Sequence, residues 1–188
     1  MAVVVKYAVL VVVLIVGNLS YSAEANISFP KARALATKVQ ATARQSIVHK
    51  FAKHLGQWFN DLDYVVERIK NEKAKENLKK VIEPLMKKCS AINKELKTIN
   101  GTVSSIRVNA IRMQGLLRKA MNDRRKGKPY KKNFARANSY IKRVYNNAVQ
   151  TLKRFNEIYQ ELVQINGKEL RQIVMKYKKE IWGDRYPE

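Results

Sequence analysis

The chain holds two histidines and one cysteine in 188 residues, and their spacing limits what they can do together. His49 and His54 are five apart, which on a helix turns them about 140° from each other. They cannot form the same-face i, i+4 pair that grips a metal, and no cysteine or acidic cluster completes a set. Cys89 with a histidine would in principle make a nucleophile and base. Cys89 falls on an apolar seam, however, where a small buried core residue is the simpler role. The paired acids Asp63/Glu67 and Glu157/Glu161 stand one helical turn apart, the pattern of surface charge. There is no Gly-rich phosphate loop, no G-x-S-x-G and no strand to carry either. The expectation is therefore no catalytic residue, no metal, no cofactor and no enzyme.

Charge is the chemistry that remains. Thirty-eight Lys and Arg against 15 Asp and Glu give a formal +23. The densest run is residues 118–132, with Arg118, Lys119, Arg124, Arg125, Lys126, Lys128, Lys131 and Lys132 against a lone Asp123. Gly127 and Pro129 make the centre of this run a loop. Such a loop has three readings. It suits nucleic-acid phosphates, with Tyr130 and Phe134 to stack on bases. It suits an anionic membrane, to which each Lys or Arg contributes about 1 kcal/mol. It suits an anionic glycoprotein matrix. Charge alone does not separate these, but secretion argues against nucleic acid as the main partner.

Secretion is read from the start of the chain. Residues 3–16 are almost wholly apolar, with Lys6 near their beginning. Ala23-Glu24-Ala25 matches an A-x-A cleavage pattern, and Ser20-Tyr21-Ser22 offers a second site. Residues 1–22 are expected to be a signal peptide, cleaved after 22 or 25, and residues 23–188 one basic helical bundle domain. Removing 1–22 takes one Lys and no acid, so 37 basic and 15 acidic residues leave +22. A single cysteine permits no internal disulfide, so the fold must rest on its core. Asn26 and Asn100 head formal N-glycosylation sequons, Asn26-Ile-Ser28 and Asn100-Gly-Thr102.

The elements that position the charge are helical. Val48, Phe51, Leu55, Trp58, Leu62, Val65 and Ile69 alternate at three and four, one seam of an amphipathic helix. Gly56 within it reads as a close-contact position or a local bend. Ser28-Phe29-Pro30 is a helix start, and Leu35, Val39, Ala43 and Ile47 lead into the same seam as one long helix. Residues 70–77 are polar on every side, a connector or a solvated helix. The seam resumes with Leu78, Ile82, Leu85, Cys89, Ile92, Leu96 and Ile99, with Pro84 as a kink or a first turn. Asn100-Gly101 reads as a helix stop, after which Thr102 or Ser104 caps a helix on Val103, Ile106, Ala110, Met113, Leu117 and Ala120. A last long helix starts near Asn133, with Ile141, Tyr145, Ala148, Leu152, Phe155, Tyr159 and Leu162 as its seam. Asn166-Gly167 reads as another stop before a short helix through Leu170, Val174, Tyr177 and Ile181. No segment alternates as a strand. The fold class is all-α, a bundle of about five helices.

Ala34-Leu35-Ala36-Thr37-Lys38-Val39-Gln40, continuing to His49-Lys50-Phe51-Ala52-Lys53-His54-Leu55, resembles the first long helix of the abalone sperm lysin family. Val174-Met175-Lys176-Tyr177-Lys178 is similar to that family's C-terminal end. The resemblance implies a five-helix, strongly basic bundle stored in the sperm acrosome and released at the egg. It implies either stoichiometric opening of the egg vitelline envelope, by binding its fibrous glycoprotein, or membrane binding and fusion, as in a fusogenic relative. The expected partner is an egg envelope glycoprotein or an anionic membrane surface, and a homodimer is compatible with either. The resemblance supplies no catalytic residue. The competing class is a secreted cationic defence or venom-type helical protein that permeabilises membranes. A third is a helical carrier of apolar ligands.

Overall fold

The computed structural model describes residues 27–183, and among them there is no strand. The signal-peptide segment and the Asn26 side of its sequon lie outside the described residues. The elements are α1 (Phe29–Arg44), α2 (Ile47–Val66), α3 (Glu72–Arg125) and α4 (Lys131–Gln164). A π-helical turn (Ile165–Leu170) follows, then α5 (Arg171–Lys176) and α6 (Lys178–Trp182). The fold is all-α.

Helix α1 starts as its residues dictate. Ser28 is extended at the N-cap, Pro30 lies in the first turn where no N–H is needed, and the Ala32 amide donates to the Ser28 carbonyl at 3.1 Å. The expected run from α1 straight into α2 does not occur, because the chain breaks at Gln45 and Ser46. The buried residues explain the break. Val39 and Val48 are both buried but nine apart, which in one straight helix would put them on opposite faces.

In α2 the buried stripe is Val48, Ala52, Leu55, Phe59, Leu62 and Val66. Sequence spacing pointed to Phe51, Trp58 and Val65 where the core takes Ala52, Phe59 and Val66. Both sets alternate at three and four, so periodicity could not choose between them. Trp58 is 47% exposed and Phe59 1%. Gly56 is passed without a break, and a Cβ there would meet the Asn93 side chain at an ordinary 3.7 Å.

After Val66 a tight turn carries Ile69 into the core, and Asn71 caps α3 by accepting from the Ala74 amide at 3.1 Å. Residues 70–77 are thus mostly the first turns of α3. This helix runs 54 residues, through Pro84 and through Asn100-Gly101. Pro84 faces outward, where the carbonyl it leaves without an amide partner meets water. The Asn100-Gly101 stop is not made. Ile92, Ile99, Ile106, Met113 and Ala120 keep one buried line at steps of seven across it, and ending the helix would expose them. Ser104, expected as a cap, instead donates its hydroxyl to the Asn100 carbonyl at 3.1 Å inside the helix. The Asn166-Gly167 stop is not made either. The chain widens to a π-helical turn, and Ile165 and Leu170, five apart, are both buried, a spacing that suits i→i+5 bonding.

The chain divides into two compact units, Met1–Ser46 with Thr98–Asn156, and Ile47–Lys97 with Glu157–Glu188. The core of the first is Ala32, Ala36 and Val39 of α1, Ile106 and Met113 of α3, and Ile141, Val144, Ala148 and Leu152 of α4. In the second, Phe59, Leu78, Ile82, Leu96, Ile158, Leu162 and Ile165 are buried to within 2%. There Phe51 packs on Tyr159, ring centroids 6.3 Å apart.

Candidate functional site: a basic helical turn

The eight expected cations are brought to one place. Arg118, Lys119, Arg124 and Arg125 occupy the last two turns of α3, and Lys131 and Lys132 begin α4. Only residues 126–130 are irregular, so Lys126 and Lys128 alone sit on a true turn. All eight are exposed. No ion pair among the described residues engages any of them.

The turn is held by its own backbone. The amides of Lys126, Gly127 and Lys128 donate to the carbonyls of Asn122, Arg124 and Asp123 at 3.1, 3.2 and 2.8 Å. Gly127 takes φ +66°, a left-handed conformation that a side chain disfavours. The one acid, Asp123, accepts from the Asn133 side-chain amide at 3.0 Å across the turn, a structural role. The Arg124 guanidinium lies over the Tyr130 ring, 5.8 Å from its centroid.

The charges are not arranged for helix stability. Arg124 and Arg125 suit the negative end of the α3 dipole, but Lys131 and Lys132 stand at the positive end of α4, with no acid in its first turn. Such cations cost roughly 0.3–1 kcal/mol each at low salt. Met121 and Phe134, 52% and 46% exposed, place large apolar side chains on the flanks of the turn. Phe134 stood out in the sequence beside the basic run. Met121 did not, because its position next to Ala120 on the seam gave no sign that it faces outward.

The two units differ in charge. Among the described residues the first holds nineteen basic side chains and one acid, Asp123, and the second seventeen and eleven. Acids of the second unit are engaged by lysines: Glu67 by Lys79 and by Lys75 (3.2 Å), Glu76 by Lys80 (2.7 Å), Glu83 by Lys87, and Glu169 by Lys88 (3.7 Å). The hydrogen bonds from Lys79 and then Lys75 hold the Glu67 carboxyl below its ordinary value.

The other candidate chemistry stays dispersed. His49 is half-buried, His54 is exposed, and Cys89 is buried on α3, where desolvation pushes its thiol up. No group of three His, Cys, Asp or Glu among the described residues could hold a metal ion. No described helix is long and apolar enough to cross a membrane. A shallow depression of about 570 Å³ along α1, lined by Phe29, Arg33, Thr37 and Lys38 among others, brings no reactive set together. No protein-family model, curated protein or solved structure matches the chain.

Proposed function

We propose that this is a secreted, non-enzymatic sperm protein of the acrosome that acts at the egg surface. It works by binding: either it opens the vitelline envelope stoichiometrically by engaging an anionic glycoprotein, or it binds and merges membranes. The observation that supports an anionic target is the turn at 118–132, where eight exposed cations surround one structurally engaged acid. The setting at the egg rests on the resemblance of residues 34–40 and 49–55 to sperm lysin. The alternative, a cationic membrane-active defence protein, draws its support from the exposed Met121 and Phe134 beside the same cations.

The test is binding of wild type and of an Arg124→Gln, Arg125→Gln, Lys126→Gln, Lys128→Gln variant to isolated egg envelope and to anionic vesicles across a salt series. Binding weakens as salt rises, and the variant binds less at each salt while keeping its helicity. Envelope dissolution without vesicle leakage selects the first mode, lipid mixing between vesicles the second, and leakage with neither dissolution nor lipid mixing the alternative. Equal binding of both proteins at every salt rejects the turn as the contact.

A further inference from the structure

The outer face of α3 in the first unit carries a second seam that the fold does not use. Gly101, Val108 and Gly115 follow one another at steps of seven, and Ser104 and Ile111 lie three beyond the first two. All five are exposed, Val108 at 46% and Ile111 at 59%. This is the a/d spacing of a coiled-coil helix. It lies on the far side of the helix from the buried line Ile106 and Met113, since Val108 is about 200° on from Ile106.

Two observations say what would cover it. The first is the glycines. Each costs about 1 kcal/mol relative to Ala in a helix interior. Neither takes a positive φ, and a Cβ at Gly101 or Gly115 would meet nothing within 4 Å. The chain's own packing gives no reason for them, whereas close approach of another backbone does. A bilayer surface would instead favour Trp, Phe or Leu at these positions. The second is charge. Arg107 flanks the seam on one side and Arg112 and Lys119 on the other, and Arg118 takes the next d position beyond Ile111, all exposed. A second copy of this face would set cation against cation.

We infer that this seam docks an acidic amphipathic helix of another protein, with apolar residues over Val108 and Ile111 and carboxylates toward Arg107, Arg112 and Lys119 at its flanks and Arg118 at its end. The site does not depend on the egg-surface reading and is separable from the turn at 126–130.

The probe is a synthetic four-heptad peptide with Leu at both seam positions and Glu at both flanks, which is unfolded alone because its glutamates repel. Full-length protein is titrated into labelled peptide, following anisotropy and the gain in helical circular dichroism. Wild type binds and folds the peptide, and a scrambled peptide of the same composition binds at least about tenfold more weakly. Ile111→Ser weakens binding at least about tenfold, because a buried aliphatic contact is lost. The variant Gly101→Lys, Gly115→Lys raises the charge by two yet also weakens binding at least about tenfold, since bulk now fills the close contact. The four-Gln turn variant keeps peptide binding. Equal binding of the scrambled peptide, or stronger binding by the Lys variant, overturns the inference in favour of unspecific charge attraction. Absent peptide binding, with Ile111-dependent binding to phosphatidylserine vesicles, overturns it in favour of a bilayer. If the peptide does not bind while envelope or vesicle binding still follows the turn variant, the seam falls and the proposed function stands.

Discussion

Cys89 lies in the α3 seam, seven residues from both Ile82 and Leu96, and it is 2% exposed. Only the thiolate is a nucleophile, and desolvation raises this thiol above its ordinary value, so both access and ionisation oppose reaction. Native protein at about pH 8 should therefore alkylate far more slowly than a free thiol, and at the free-thiol rate once unfolded in denaturant. A native rate equal to the unfolded one would place Cys89 at the surface. Glu67 gives a prediction in pH. Its carboxyl is held below 4.5 by Lys79 and Lys75, so it adds stability above that value and loses it as pH falls through its lower folded pKa. The partner Lys79 is raised above 10.5, so its share is present below that value and fades as pH rises through its higher one. The stability difference between wild type and Glu67→Gln should thus be flat from about pH 6 to 9 and shrink on acidification, as read by urea midpoints across pH. A difference that grew toward acid would reject the pairing.

At the scale of the helix, the two neighbours Trp58 and Phe59 set the register of α2. Phe59 is fully buried, so Phe59→Ala should destabilise by about 3–5 kcal/mol, whereas Trp58→Ala should stay within about 1 kcal/mol. Thermal or urea unfolding of the two variants decides, and a reversed order would restore the Phe51–Trp58–Val65 face to the core. The helices themselves were legible in the sequence, because steps of three and four recur through most of the chain. What periodicity missed was which of two adjacent apolar residues faces inward. Phe51, Tyr145 and Tyr159 are only partly buried, while Ala52, Val144 and Ile158 fill the core. Large rings with a polar end, Tyr145 and Tyr159 among them, stay only half-buried, and the face of the Tyr145 ring meets a cation, with Lys31 5.9 Å from its centroid. The Asn-Gly pairs misled for a different reason. Local stop signals are worth about 1 kcal/mol, and a buried line continuing past them outweighs that. The basic turn was legible because its charges are consecutive. The seam on the outer face of α3 was not, since Gly101 read as a stop and Ser104 as a cap removed its first two positions from the helix.

At the scale of the whole chain, the uneven charge makes a prediction about stability. The first unit holds nineteen cations and one acid among its described residues, and that acid is occupied by Asn133. Like charges at this density repel, and the repulsion is present in the compact state more than in the expanded one. Salt shortens its reach from about 30 Å at 0.01 M to about 10 Å at 0.1 M. In the second unit the eleven acids include five that pair with lysines, Glu67, Glu72, Glu76, Glu83 and Glu169, and salt screens attraction there as well as repulsion. Raising salt from about 0.01 to 0.2 M should therefore slow amide hydrogen exchange in residues 98–156 more than in residues 47–97. The two segments share helix α3, so one helix reports both responses under identical conditions. A short polyanion should produce the same selective protection at constant ionic strength, because it binds the folded cationic unit. Equal protection of both segments by salt would mean that self-repulsion is not concentrated in the first unit, and greater protection of residues 47–97 would reverse the assignment.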